Sequence, residues 1–185
     1  LGLVGSEMCI RDSSWNNLNN APLPVYEPGL EDVLNRVRGR NLHFSTDVSR
    51  AIGNADMVFL SVNTPTKLQG HGAGSASDLT FIERAARQIA ESAQGSTIVV
   101  ERSTLPVRTA DGLVKILEQS NSCHFDILSN PEFMAEGTAI DDLQNPDRVL
   151  VGGHCNHAVQ QLAGIYGNWV DEDRIITTNL SLIHI

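Results

Sequence analysis

Basic residues are in short supply: 13 Lys and Arg stand against 22 Asp and Glu, giving a formal net charge of -9 and a pI near 5.0. That balance argues against a nucleic-acid partner, whose backbone demands clustered Lys and Arg. It also disfavours docking on an anionic membrane surface. Long hydrophobic runs are missing too: stretches such as Met57–Val62 fall far short of the roughly 20 apolar residues that cross a bilayer. Cysteine is sparse and odd in number, with Cys9, Cys123 and Cys155 at unrelated spacings and no C-x-x-C pair. Reduced thiols in a cytoplasmic protein fit that usage better than a disulfide framework. The run His154-Cys155-Asn156-His157 sets potential ligands side by side at a turn after Gly152-Gly153. Structural zinc draws four ligands from spaced pairs, so no metal is assigned there.

What is present describes a globular chain. Its 185 residues are 41% hydrophobic and 19% charged, enough for one domain with a substantial core. From Leu42 onward, strand-like and helix-like runs alternate. Predicted strands are Leu42–Phe44, Met57–Val62, Thr97–Glu101, Phe125–Ser129, Arg148–Gly152 and Ile175–Thr177. Met57–Val62 is a nearly continuous apolar run, as expected of a strand buried on both faces. Predicted helices include Asp47–Ile52, with Ser45 or Thr46 as N-cap and Gly53 as stop. A longer one follows Asp78, with Leu79, Ile82, Ala86, Ile89 and Ala93 at three- and four-residue steps. Ala110–Leu117 and Ala158–Tyr166 complete the set. The alternation predicts an α/β fold with a doubly wound, mostly parallel, Rossmann-like sheet.

Three polar, proline-pinned loops follow consecutive predicted strands: Asn63-Thr-Pro-Thr66, Ser103-Thr-Leu-Pro-Val-Arg108, and Ser129-Asn-Pro-Glu-Phe-Met-Ala-Glu-Gly137. Open α/β sheets bind ligands outside the carboxyl ends of their strands, so these loops are expected to line one crevice. Hydroxyls of Thr64, Thr66, Ser103 and Thr104 would suit ribose and phosphate oxygens. Each loop taken singly is equally a capping motif between strand and helix. In the third loop, Glu132 and Glu136 would share a face if the segment were helical. Apolar Phe133 and Met134 beside them would then lower the local dielectric and tune Glu132 toward acid–base work. Solvated surface acids are the simpler reading of that spacing alone.

Five segments in order carry a family pattern: Pro24-Val-Tyr-Glu-Pro-Gly-Leu30, Val62-Asn-Thr-Pro-Thr66, Ser103–Arg108, Ser129–Gly137 and Asn145-Pro-Asp-Arg148. Together they closely resemble the UDP-glucose dehydrogenase family in its long eukaryotic form, over about Trp15 to Asn179. The resemblance implies an NAD-dependent, four-electron oxidation of UDP-glucose to UDP-glucuronate through a cysteine thioester. It implies Glu132 as the carboxylate serving the hydrolytic step, with Thr104 beside a water. Val62, Asn63, Thr64, Pro65, Thr66, Ser103, Thr104 and Glu136 are implied on the NAD side. Glu132, Phe133, Met134, Ala135 and Glu136 are implied on the sugar-nucleotide side. Residues Arg102 to Arg108 match a stretch tied to allosteric switching in the animal enzymes. A homo-hexamer is the implied assembly, with neither nucleic acid nor membrane as partner. Related GDP-mannose and UDP-N-acetylmannosamine dehydrogenases often carry Arg before the second Glu, so Ala135 favours UDP-glucose.

Some family features have no counterpart here. Leu1–Ser13 offers only Gly2 and Gly5 where a strand and a G-x-G-x-x-G loop are expected. None of the three cysteines lies in the GGSC-type segment that carries the family's nucleophile. Residues 1–13 and 180–185 resemble translated adapter sequence and are assigned no function. Residues 14–179 are expected to form a partial NAD-binding domain, truncated at its first strand and inactive alone. A non-catalytic nucleotide-binding remnant is the alternative expectation.

Overall fold

Among the described residues five strands form one sheet: β1 (Met57–Leu60), β2 (Thr97–Glu101), β3 (Phe125–Ser129), β4 (Val149–Gly153) and β5 (Ile175–Thr178), side by side in that order. The computed structural model describes residues 26–62, 64–69, 77–103, 109–119 and 123–180. Strands β1, β2 and β3 are parallel, as are β4 and β5. The mostly parallel expectation holds, with one reversal: β4 runs antiparallel to β3 and pairs Gly153 with Leu128 and Gly152 with Ser129. The helices are α1 (Leu30–Val37), α2 (Val48–Gly53), α3 (Thr80–Ser92), α4 (Thr109–Glu118), α5 (Ala139–Gln144) and α6 (Asn156–Tyr166).

Successive strand residues point to opposite faces, and each face builds its own core. On one, Val58, Leu60, Val99 and Ile127 pack against Ile52 of α2, Ile82 and Ile89 of α3, and Leu113 and Leu117 of α4. On the other, Ile98, Val100, Leu128 and Val151 meet Ala158, Val159, Leu162 and Tyr166 of α6. Fully burying such a side chain is worth about 1.5–3 kcal/mol, so the two layers hold the sheet from both sides. Burial on both faces, expected for β1, belongs instead to β2, whose five residues are all buried. In β1 only Val58 and Leu60 are buried. Gly153 is the tight point: a Cβ there would overlap Leu128 and reach Val159 Cγ2 at 2.9 Å.

Several local expectations give way to specific bonds. Leu42–Phe44 forms no strand, only an isolated bridge from Leu42 to Arg38. Gly39, at φ 73, turns the chain, and Gly39 N–H bonds Leu42 O at 2.9 Å. The closed turn leaves no room for a ladder. Asp47, not Ser45 or Thr46, caps α2, accepting the Arg50 N–H at 3.2 Å. Strand β1 stops at Leu60 because Val62 N–H turns to the Ser103 hydroxyl at 3.0 Å. Helices α1 and α5 were not expected. Among the described residues, no helix is long and apolar enough to cross a membrane.

Candidate active site at the strand ends

Because β1, β2 and β3 are parallel, Val62, Arg102, Ser103 and Asn130 leave the sheet at one edge. The ladder continues one step past the strands, from Arg102 N–H to Leu60 O at 3.0 Å and from Asn130 N–H to Glu101 O at 2.9 Å. Ser103 fastens the first two loops together: its Oγ accepts the Val62 N–H at 3.0 Å and donates to Val62 O at 2.8 Å. Two residues expected near a cofactor, Val62 and Ser103, are thus in direct contact. The loop from Thr64 closes at its base, where Asp78 N–H meets Pro65 O at 2.6 Å and Thr66 bridges Ser77. Thr64 is half-buried, and Pro65 and Thr66 are exposed. Asn63 and Thr104, both singled out in the sequence, lie outside the described residues.

The carboxylate loop is not helical. Residues 131–135 have no regular structure and 136–138 form a turn, with Gly137 at φ 88. Glu132 and Glu136 therefore share no helical face: Pro131 has no N–H to give a helix, and Gly137 at positive φ turns the chain. Asp142 of α5 ties the loop together, accepting the Ala135 N–H at 2.9 Å and the Thr138 hydroxyl at 2.9 Å. The Ala135 amide, then the Thr138 hydroxyl, hold its carboxyl below the usual carboxylate range. Glu27 secures the turn by accepting the Gly137 N–H at 2.8 Å, which joins the first and fourth family segments. Phe133 and Met134 do not sheathe Glu132. Phe133 is 54% exposed beneath the Arg148 guanidinium, 5.2 Å from its ring centre, and Met134 is exposed as well. Ala135 and Glu136 are also exposed.

Glu132 is 45% exposed in its side chain and pairs through Oε2 with Arg102 Nη2 at 3.4 Å. Arg102 Nη1 donates to Tyr166 Oη at 2.7 Å and to Asn130 Oδ1 at 3.2 Å. Tyr166 Oη donates to the same Asn130 Oδ1 at 2.6 Å, and Asn130 Nδ2 donates to Leu150 O at 2.8 Å. The cleft bounded by Arg102, Asn130, Glu132, Met134, Arg148 and Tyr166 encloses about 30 Å³. That volume is about the size of one water molecule.

One residue earlier, the Glu101 carboxyl turns into the fold at 4% exposure. Burial pushes it up to about 7, against a weaker opposing bond from the Ser129 hydroxyl at 3.2 Å. Its other oxygen is buried with no hydrogen-bond partner among the described residues. The buried carboxyl expected at Glu132 is thus found at Glu101. Sequence reading passed over Glu101 and Tyr166; Arg102 and Asn130 entered it only as members of family segments, without a link to Glu132. A charged residue directly closing the run Thr97–Val100 was the available signal for Glu101.

A larger cavity of about 350 Å³ lies away from these loops, lined by Cys123, His124, Asp126, His154, Cys155 and Leu180 among others. Among the described residues, no group of three or more His, Cys, Asp or Glu is placed to hold a metal.

The UDP-glucose/GDP-mannose dehydrogenase family, NAD binding domain, matches residues 8–170. The chain belongs to this family. It is 56% identical over 175 residues to UDP-glucose 6-dehydrogenase 3 of Oryza sativa subsp. japonica, covering 92% of this chain and 36% of that protein. It is 57% identical over 175 residues to UDP-glucose 6-dehydrogenase 2 of Arabidopsis thaliana, with the same coverage of 92% and 36%. A UDP-glucose dehydrogenase structure from the archaeon Pyrobaculum islandicum superposes with a TM-score of 0.81 at 29% identity, over 94% of this chain and 40% of that one. A ternary complex of GDP-mannose dehydrogenase from Pseudomonas aeruginosa gives 0.81 at 28%, over 93% and 40%. The chain therefore spans about a third of the length of the curated relatives it matches. As the family's NAD-binding part, it carries the Rossmann-like sheet of these dehydrogenases and the strand-end loops described above.

Proposed function

We propose that this chain is the nucleotide-binding part of a longer enzyme that oxidises UDP-glucose to UDP-glucuronate with NAD. The observation that carries this reading is the meeting, at one edge of the sheet, of the Val62–Ser103 contact and the Glu132 loop. Hydroxyls of Thr64 and Thr66 suit ribose oxygens, and the mutually bonded Val62 and Ser103 would hold the two loops together beside them. Asn63 and Thr104 belong to the same loops. No glycine-rich strand-to-helix loop occurs among the described residues, so the pyrophosphate is assigned to none of them. NAD would supply a hydride acceptor there. Glu132 would take a proton from water in the hydrolytic step, through a half-exposed carboxylate beside a water-sized cleft. Phe133, Met134, Ala135 and Glu136 face solvent along the same loop and would line the sugar nucleotide.

The identity of 56% to UDP-glucose 6-dehydrogenase 3 of Oryza sativa subsp. japonica supports UDP-glucose as the substrate. A homo-hexameric assembly and a cytoplasmic location belong to the same reading; sedimentation and fractionation of the full-length protein test them. The decisive variant is Glu132→Gln in the full-length enzyme. Turnover is expected to fall about 100-fold or more, with NAD affinity nearly unchanged. Turnover like that of the wild type would remove Glu132 from the mechanism.

A further inference from the structure

The reversal of β4 has a result at the active edge. Running antiparallel to β3, β4 begins beyond the carboxyl end of β3, which brings Leu150 over Asn130. Helix α6 then returns along the sheet, and its last residue, Tyr166, arrives at that same edge. Side chains from the ends of β2, β3 and α6 thereby converge on the guanidinium of Arg102.

The two ends of that guanidinium have different surroundings. At Nη1 it meets Tyr166 and Asn130, and Asn130 is 1% exposed. Their polar atoms are mutually satisfied: Asn130 Oδ1 accepts from both partners, and its amide is bonded to Leu150 O at 2.8 Å. Such a saturated buried network allows one arrangement and fixes the plane of the guanidinium. At Nη2 it reaches Glu132, whose side chain is 45% exposed. A half-exposed ion pair contributes only about 0–1 kcal/mol to stability. Stability is therefore a poor reason for anchoring one end so firmly, whereas orienting a reacting group requires it. The contact engages only Oε2 of Glu132, and a carboxylate has a second oxygen with which to take a proton.

We propose that Arg102, clamped by Tyr166 and Asn130, is a positioning residue that sets the Glu132 carboxylate for proton transfer. The inference rests on the reading that Glu132 is the reacting carboxylate. A lysine ammonium has no planar fork, so Arg102→Lys keeps the charge and loses the plane that the buried pair fixes.

The test is a set of double-mutant cycles on the full-length enzyme, read by steady-state kinetics with UDP-glucose and NAD. Tyr166→Phe and Arg102→Lys are each made alone and with Glu132→Gln, and every variant is checked for folding by thermal melting. Each single change is expected to lower kcat about 10-fold while both KM values stay within about 2-fold. In the Glu132→Gln background neither change should lower kcat further, because the group being positioned is gone. Losses that multiply in that background would show an ordinary structural role and overturn the proposal. If Tyr166→Phe fails to fold, Arg102→Lys decides alone, and unchanged kcat in it overturns the proposal. Failure of the wild-type enzyme to oxidise UDP-glucose would overturn the functional reading and this inference together. Normal wild-type turnover with multiplying losses would overturn the positioning role alone.

Discussion

Glu101 sits at the end of the fully buried β2, one carboxyl oxygen bonded by Ser129 and the other without a partner among the described residues. Because burial raises its carboxyl from 4.5 to about 7, the folded chain binds this proton more tightly than the unfolded chain does. Between those values the unfolded state holds fewer protons, so this group destabilises the fold progressively as pH rises, up to neutrality. Glu101→Gln is therefore expected to stabilise at pH 8, on the order of 3 kcal/mol at most, and to have little effect near pH 4.5. Thermal melts across that range check it; equal effects at both ends would refute the buried-proton reading. Asp142 has the opposite sign. Its lowered carboxyl supports the loop above the usual carboxylate range, and that support is lost as pH falls through the lowered value. Hydrogen exchange at the Ala135 amide is expected to quicken on acidification beyond its intrinsic rate change, and not in Asp142→Asn. The loop that carries Glu132 could be picked out in the sequence by its family pattern. Glu101 could not, since its burial depends on Ser129, distant in sequence but adjacent in register.

Strands β2 and β3 were legible to the residue, because the short apolar runs Ile98–Val100 and Ile127–Leu128, bounded by polar residues, leave little freedom in placing them. Helix α3 was nearly so, its core stripe Ile82, Ala86 and Ile89 being buried as its spacing requires. The direction of β4 left no local trace: the run Val149–Gly153 reads the same whether its partner is parallel or antiparallel. Helices α1 and α5 are short, and α5 buries no residue, so hydrophobic periodicity had little to register. The β3–β4 contact also depends on Gly153, where Leu128 and Val159 occupy the space of a side chain. Gly153→Ala is expected to destabilise by about 1–3 kcal/mol through overpacking, measured by urea unfolding. A neutral result would mean that β4 shifts without cost.

The crevice is a product of topology. Three parallel strands deliver Val62, Ser103 and Asn130 to one edge, and the antiparallel return of β4 and α6 adds Leu150 and Tyr166. The strand–helix alternation and the polar loops at consecutive strand ends placed most of these loops together. They could not place the side-chain network beneath Glu132, which depends on residues that no pattern joins. Joined to the rest of its polypeptide, this domain is expected to support two successive oxidations of the same sugar. The measurement to make is the amount of NADH formed for each UDP-glucose consumed by the full-length protein. About two NADH for each UDP-glucose, with UDP-glucuronate as product and no comparable rate on GDP-mannose, is the expected result. No NADH with UDP-glucose, or faster reduction with GDP-mannose, would contradict the assignment.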